Sequence, residues 1–271
     1  TGRDFDRPDT DTSWLRVTGA REHNLQNIDV ALPIAHLSCI TGVSGSGKST
    51  LIHEVLYRGL LRRMGKSTET PGACDDIVGW ENLAQVMLVD QSAIGKSARS
   101  NPASYTGAFD SIRAHFATLP LSKERAYTAG SFSFNSKQQK CPGCGGSGHE
   151  HVEMQFLSDV YLRCPDCQGR RYRDELLEVY DLGADRVSRN IADILALTVE
   201  QALAHFAQQP KVIKALQTLC DVGLDYVTLG QPVPTLSGGE AQRLKLAAHL
   251  VSAKKDAPSL FLFDEPTTGL H

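Results

Sequence analysis

The sequence predicts an α/β fold interrupted by a long insertion of helical character, and three observations carry that prediction. Short apolar runs of strand type recur at 14–17, 28–32, 37–41, 84–89 and 259–263. A glycine-rich turn at 42–49 joins the third run to a segment, 51–61, whose apolar residues have helical spacing. Between the fourth and fifth runs lie two cysteine pairs and, over 186–225, apolar residues in helical register such as Ile191, Ile194 and Leu195.

Composition sets the limits. The 271 residues include 28 Lys and Arg against 31 Asp and Glu, a net charge of −3, and 41% are hydrophobic. This excludes a disordered chain, a collagen and a polyionic tail, and the length supports a core without disulfide staples. No apolar run approaches the roughly 18 residues of a membrane span, so no membrane association is expected. The chain opens on Thr1-Gly2-Arg3-Asp4-Phe5-Asp6, with neither Met nor an apolar leader, which is expected of a cytoplasmic protein and of a piece of a longer chain.

Along the chain, residues 1–13 are polar and read as a tail or linker. The runs at 14–17 and 28–32 alternate as half-buried strands do, and 37–41 leads directly into the glycine turn. Over 91–140 the charge changes: Lys96, Arg99, Arg113, Lys123, Arg125, Lys137 and Lys140 face only Asp110 and Glu124, a net of +5 in a chain that is acidic overall. Pro258 precedes the run at 259–263, which suits a buried parallel strand.

The turn itself is specific. Gly42-Val43-Ser44-Gly45-Ser46-Gly47-Lys48-Ser49 fits G-x-x-x-x-G-K-[ST] at every position, between a strand candidate and a helix candidate. Glycines let backbone N–H groups turn inward around phosphate oxygens, and the helix start at Ser49 and Thr50 adds its partial positive charge. Lys48 would reach the β- and γ-phosphates of ATP, and Ser49 would ligate Mg²⁺. The run at 259–263 ends in Asp264-Glu265. Alone this would be an acidic turn. Paired with the phosphate loop it reads as a magnesium-holding Asp264 and a water-activating Glu265. Leu236-Ser237-Gly238-Gly239-Glu240 is a capped helix start that also exposes donors, in Ser237, Gly238 and Gly239, to a second anion.

Cys141-Pro142-Gly143-Cys144 and Cys164-Pro165-Asp166-Cys167 form two C-x2-C pairs. Four thiolates are the ligand set of a closed structural Zn²⁺ site, with no open position for catalysis. His149 and His151 lie nearby and read as surface residues. The module 131–173 is +2 before metal binding, and four thiolates with Zn²⁺ bring it to about zero. Its positive charge is therefore local, at Arg163, Arg170, Arg171 and Arg173.

The order of phosphate loop, Leu-Ser-Gly-Gly-Glu and Asp264-Glu265-Pro266 resembles the ATP-binding-cassette (ABC) ATPases. That resemblance implies head-to-tail pairing of two nucleotide-binding halves around ATP, with Gln91 as the glutamine that senses Mg²⁺ and the attacking water. The cysteine module between Gln91 and Ser237 narrows it. With Asn24-Leu25-Gln26-Asn27-Ile28, Val89-Asp90-Gln91-Ser92, Arg99 to Gly107, Phe132-Ser133-Phe134-Asn135, Met154 to Tyr161, Thr235 to Ala247 and Asp264 to His271, the chain resembles the second nucleotide-binding half of the UvrA family over almost its whole length.

That resemblance implies an ABC-type P-loop ATPase core at 14–90 and 245–271, incomplete at its C-terminal end. A helical, zinc-bearing signature subdomain would be inserted at 91–244, with the zinc module at 141–167. It implies catalytic roles for Glu265, Lys48 and Gln91, and nucleotide contacts from Gly42, Ser44, Gly45, Ser46, Gly47, Lys48, Ser49, Thr50 and Asp264. Ser237, Gly238 and Gly239 would contact nucleotide on the other half. The cofactors implied are ATP, Mg²⁺ at Ser49 and Asp264, and Zn²⁺ at Cys141, Cys144, Cys164 and Cys167. The implied partners are damaged duplex DNA, a second nucleotide-binding half, a homodimer mate and a UvrB-type repair helicase. Lys96, Arg99, Arg163, Arg170 and Arg171 are the candidate DNA contacts. The segment alone is expected to hydrolyse little ATP. Three alternatives stay open: a UvrA-like paralogue in resistance to DNA-binding drugs, a nucleotide-dependent clamp, and a transporter ATPase subunit.

Overall fold

The computed structural model describes residues 13–90, 97–152, 154, 160–252 and 258–264. These residues fall into two compact units, one of 13–90 with 258–264 and the other of 97–252.

The first unit holds two small sheets. Strands β1 (Trp14–Ala20), β2 (Ile28–Pro33) and β3 (Asp76–Val78) form an antiparallel sheet in the order β2-β1-β3. Register pairs Val17 with Val30 and Ile77, so the inward face of β1, Leu15 and Val17, meets apolar neighbours while Arg16 points out. Strands β4 (Gln85–Val89) and β9 (Ser259–Phe263) pair in parallel, Val89 opposite Phe263. The glycine turn feeds a helix wound as a π-helix over Thr50–Tyr57 and continued as α1 (Arg58–Arg63). Its Leu51, Val55, Leu56 and Leu60 join Leu15, Val17, Ile77, Val86 and Leu262 in one core.

Two expectations change here. Residues 37–41 join no ladder among the described residues, and Leu37 is 98% exposed. The run at 259–263 pairs in parallel as expected, yet only Leu262 is buried and Phe263 is 42% exposed. Both differences have one cause. Alternation and apolarity mark a segment as able to form a strand, whereas burial needs a partner on each side.

The second unit is mainly helical: α2 (Pro102–Tyr105), α3 (Ala108–Phe116), α4 (Pro120–Glu124), α5 (Asp174–Leu177), α6 (Ile191–Ala196), α7 (Val199–His205), α8 (Pro210–Asp221) and α9 (Gly238–Ser252). Helix starts follow local chemistry. Asn101, Asn190 and Thr198 each cap their helix with a side-chain oxygen and donate their own backbone N–H back to the side chains of Ser104, Asp193 and Gln201. Helix α3 buries Phe109, Ile112 and Phe116, and α8 buries Val212, Leu216 and Leu219, so the two pack through one apolar stripe each. Leu244 and Ala247 of α9 belong to the same core, so the boundary expected at 245 falls inside a continuous helix. The helical reading of 186–225 holds from Ile191 onward. Before it, β8 (Ser188–Arg189) pairs with β7 (Asp181–Leu182). The cysteine segment carries a hairpin of β5 (His149–Val152) and β6 (Val160–Arg163).

Candidate functional site

The phosphate loop is held from outside by the segment that precedes it in sequence. Asn24 Nδ2 donates to the carbonyl of Gly45 at 2.6 Å. Gly47, at φ +93°, lies so close to this segment that a Cβ there would come within 2.8 Å of Leu25 Cδ2 and 3.0 Å of Asn24 Oδ1. Only glycine fits. Lys48 Nζ donates to the carbonyls of Gly42 at 2.9 Å and Val43 at 2.8 Å, closing the loop on itself. Ser44, Gly45, Ser46 and Ser49 are exposed around it, and the Leu51 N–H bonds to the Gly47 carbonyl at 2.9 Å where the helix begins. The result is an exposed glycine-rich turn at a helix start, with the Lys48 ammonium held against its first two carbonyls, and a turn of that kind suits a polyphosphate.

Asp264 follows β9, and its N–H bonds to the Val89 carbonyl at 3.2 Å. Its Oδ2 lies 3.1 Å from His53 Nε2, on the helix that leaves the loop. The carboxylate thus lies against the helix that the phosphate loop opens. Sequence reading missed His53. The available signal was its place about one helical turn beyond Ser49, on the same side of the helix. Gln91, Glu265 and Lys96 lie outside the described residues.

In the second unit, the Ser237 N–H bonds to Glu240 Oε2 at 2.7 Å and Ser237 Oγ accepts from the Glu240 N–H at 3.3 Å, a reciprocal cap on α9. Glu240 also accepts from the Tyr226 hydroxyl at 2.8 Å, and Arg243 reaches both Tyr226 and the Gly223 carbonyl. Burial raises the pKa of Glu240, but the bonds from Ser237 and Tyr226 and the charge of Arg243 outweigh it and hold the carboxyl below its usual range. The Ser-Gly-Gly turn therefore has a fixed, ionised brace behind it.

The four cysteines of the two pairs converge, with their sulfurs within 4.8 Å of one another. Cys144 Sγ and Cys167 Sγ are 3.7 Å apart. A tetrahedral Zn²⁺ site with Zn–S bonds of about 2.3 Å has edges of about 3.8 Å, so this donor set fits the metal. Cys141, Cys164 and Cys167 are buried, and burial pushes the Cys167 thiol up to about 12 against the bond from the Arg171 N–H. N–H groups of Gly148 and Arg171 point at Cys144 Sγ and Cys167 Sγ, as outer partners of metal thiolates do. Neither nearby histidine belongs to the cluster. His149 Nδ1 lies 3.4 Å from the Ser147 carbonyl, and the His151 ring stacks on Tyr161 at 4.9 Å.

The candidate DNA contacts divide. Arg99 and Arg163 are exposed, Arg99 donating to the Gly145 carbonyl at 3.1 Å. Arg170 is exposed and pairs with Asp174 at 3.2 Å. Arg163 and Arg170 line a groove of about 440 Å³ beside the cysteine module, with Tyr161, Gln231 and Thr235. Arg171 departs from expectation. It is 2% exposed, and its guanidinium is spent on the carbonyls of Ala98 and Gly230. Arginine in a basic run reads as surface, but here those two carbonyls and the Phe134 ring, 4.8 Å away, enclose it.

No protein-family model matches the chain. Among curated proteins, the UvrABC system protein A of Methanothermobacter thermautotrophicus is 51% identical over 95% of this chain and 26% of its own length. That of Clostridium tetani is 52% identical over 94% of the chain and 26% of its own length. That of Thermus thermophilus is 50% identical over 95% and 26%. The crystal structure of UvrA2 from Deinococcus radiodurans superposes on the whole chain with a TM-score of 0.85 at 44% identity, using 32% of that structure. The chain belongs to the UvrA family. It spans about a quarter of the length of the UvrA relatives it matches. The match to UvrA2 makes the fold that of an ABC ATPase with a four-cysteine cluster. Among the described residues no helix is long and apolar enough to cross a membrane.

Proposed function

We propose that this chain is the nucleotide-binding and cysteine-bearing part of a UvrA-type protein that recognises damaged duplex DNA in nucleotide excision repair and couples recognition to ATP binding and hydrolysis. One observation carries the reading. A closed phosphate loop, a braced Ser-Gly-Gly helix start and a four-sulfur cluster occur together in a chain of the UvrA family.

On this reading residues 13–90 with 258–264 serve the ATPase core, and 97–252, which includes the whole of α9, forms the zinc-bearing signature subdomain. Lys48 and the N–H groups of Gly42 to Thr50 bind the phosphates. Ser49 and Asp264 hold Mg²⁺, which neutralises phosphate charge when bound, and His53 orients the Asp264 carboxylate. Gln91 and Glu265 position and deprotonate the attacking water. Ser237, Gly238 and Gly239 present donors to nucleotide held by a second half or a homodimer mate, with Glu240 fixing their direction. Cys141, Cys144, Cys164 and Cys167 hold a structural Zn²⁺. Arg99, Arg163 and Arg170 meet DNA phosphates, and a UvrB-type helicase is the downstream partner in the cytoplasm.

The test follows the full-length protein on a fluorescent duplex with and without a bulky adduct, with ATP, across a salt series. Tighter binding to the adducted duplex supports damage recognition. The UvrA2 match favours a second reading, a paralogue with a general DNA-binding role, and equal, salt-sensitive binding to both duplexes selects it. No binding at low salt removes the DNA reading altogether.

A further inference from the structure

Arg171 joins three parts of the second unit. Its backbone is set by the cysteine pairs: its N–H points at Cys167 Sγ at 3.4 Å, and its carbonyl accepts from the Cys141 N–H at 2.9 Å. It holds φ +70°, a left-handed conformation unusual for a residue with a side chain. From there the guanidinium reaches away from the cluster. Nη1 donates to Ala98 at 3.2 Å and Nη2 to Gly230 at 2.8 Å, with the ring of Phe134 against its face. A rigid planar fork suits two carbonyls on separate segments, a task that a lysine ammonium on a flexible stem performs poorly.

Gly230 is pinned from its other side too. Its N–H bonds to the Leu195 carbonyl at 2.7 Å, and a Cβ there would meet that same oxygen at 2.8 Å. The chain beyond Gly230 has little slack. The Val233 N–H bonds to Ser100 at 2.9 Å, Thr235 and Leu236 close a short 3-10 turn, and Ser237 then caps α9. A shift at Gly230 therefore passes to the Ser-Gly-Gly turn rather than dying out in a loop.

We propose that Arg171 is a positioning residue that makes the placement of the Ser237-Gly238-Gly239 turn depend on the four-cysteine metal site. This rests on the reading that the turn meets nucleotide. Four thiolates with Zn²⁺ carry a net −2, so a loaded cluster also supplies the enclosed guanidinium with nearby negative charge. Loss of the metal removes that charge and loosens the backbone from which the fork extends.

The test uses the full-length protein as Arg171→Lys, Cys167→Ser and the double variant. It reads zinc content, kcat and KM for ATP, and amide hydrogen exchange over 229–237. Arg171→Lys is expected to keep its zinc, while exchange at Leu229, Gly230, Val233 and Thr235 rises about tenfold and kcat falls about tenfold or more. Cys167→Ser is expected to lose its zinc and, in the parent background, to raise exchange and lower kcat by the same factors, but to add less than about twofold on top of Arg171→Lys, because both cut one connection. Unchanged exchange in Arg171→Lys, effects that multiply in the double variant, or loss of zinc from Arg171→Lys each overturn the proposal. Should Arg171→Lys fail to fold, Phe134→Leu is read in its place. A rise confined to 229–237 supports the connection, and an unchanged or global pattern overturns it. If the parent protein hydrolyses no ATP, the ATPase reading fails, and the exchange measurements still decide the role of Arg171.

Discussion

Nε2 of His205 meets the carboxylate of Asp181 at 3.1 Å, inside the core of the second unit. On its other side Nδ1 lies 2.8 Å from Arg189 Nη1 and 3.3 Å from Asp185 Oδ1. His115 Nε2 approaches the other carboxylate oxygen at 2.9 Å. Burial raises the pKa of Asp181, but the bonds and charges of His115 and His205 outweigh it and hold the group well below the usual carboxylate range. A depressed folded-state pKa contributes stability that is present above the unfolded value of about 3.9 and is lost as pH falls below it. Asp181→Asn should therefore lower unfolding free energy by about 3 kcal/mol at pH 7. The difference from the parent should shrink as the pH drops below about 4. Urea unfolding at both pH values checks this, and a gap that does not narrow in acid refutes it.

Lys48 closes the phosphate loop through two carbonyls, which hold its ammonium against the turn. In the full-length protein Lys48→Met should reduce ATP turnover by about a hundredfold or more, since it removes a charged donor from the developing phosphate charge. Zinc content should be unchanged, because the loop and the cysteines lie in different units. Steady-state kinetics beside metal analysis decides it.

The cysteine cluster gives a stability prediction. A four-thiolate zinc site contributes folding free energy directly. Cys164→Ser should lose the metal and destabilise the second unit by several kcal/mol, seen as a lower midpoint in thermal unfolding. A strong zinc chelator should reproduce the shift in the parent and leave the variant unaffected. Equal midpoints with and without metal would contradict a structural role.

What could be read in advance was what local spacing encodes. The C-x2-C pairs bring their sulfurs together because each pair spans a single turn, and Ser237 caps α9 because Glu240 follows at the reciprocal position. What could not be read depends on groups distant in sequence. Residues 37–41 look like a strand but find no ladder among the described residues. Arg171 looks like a surface cation until Ala98 and Gly230 supply its partners. Asp181 draws its two histidines from α3 and α7, a convergence with no local signature.

The last prediction separates the arginines by that difference. Each phosphate contact that a protein makes with duplex DNA contributes about 0.9 to the slope of log affinity against log salt. Arg99, Arg163 and Arg170 are exposed, the last two on one groove. Replacing any one of them by Gln in the full-length protein should lower the slope by about one and weaken binding equally for adducted and plain duplex. Arg171→Gln should leave the slope unchanged: the residue borders the same groove, but it is 2% exposed and its guanidinium is spent on the carbonyls of Ala98 and Gly230. Any loss of affinity it causes must act through the fold and should appear at every salt concentration alike. A slope that falls with Arg171→Gln would place that side chain at the DNA after all, and a slope indifferent to Arg163 and Arg170 would remove the groove from the interface.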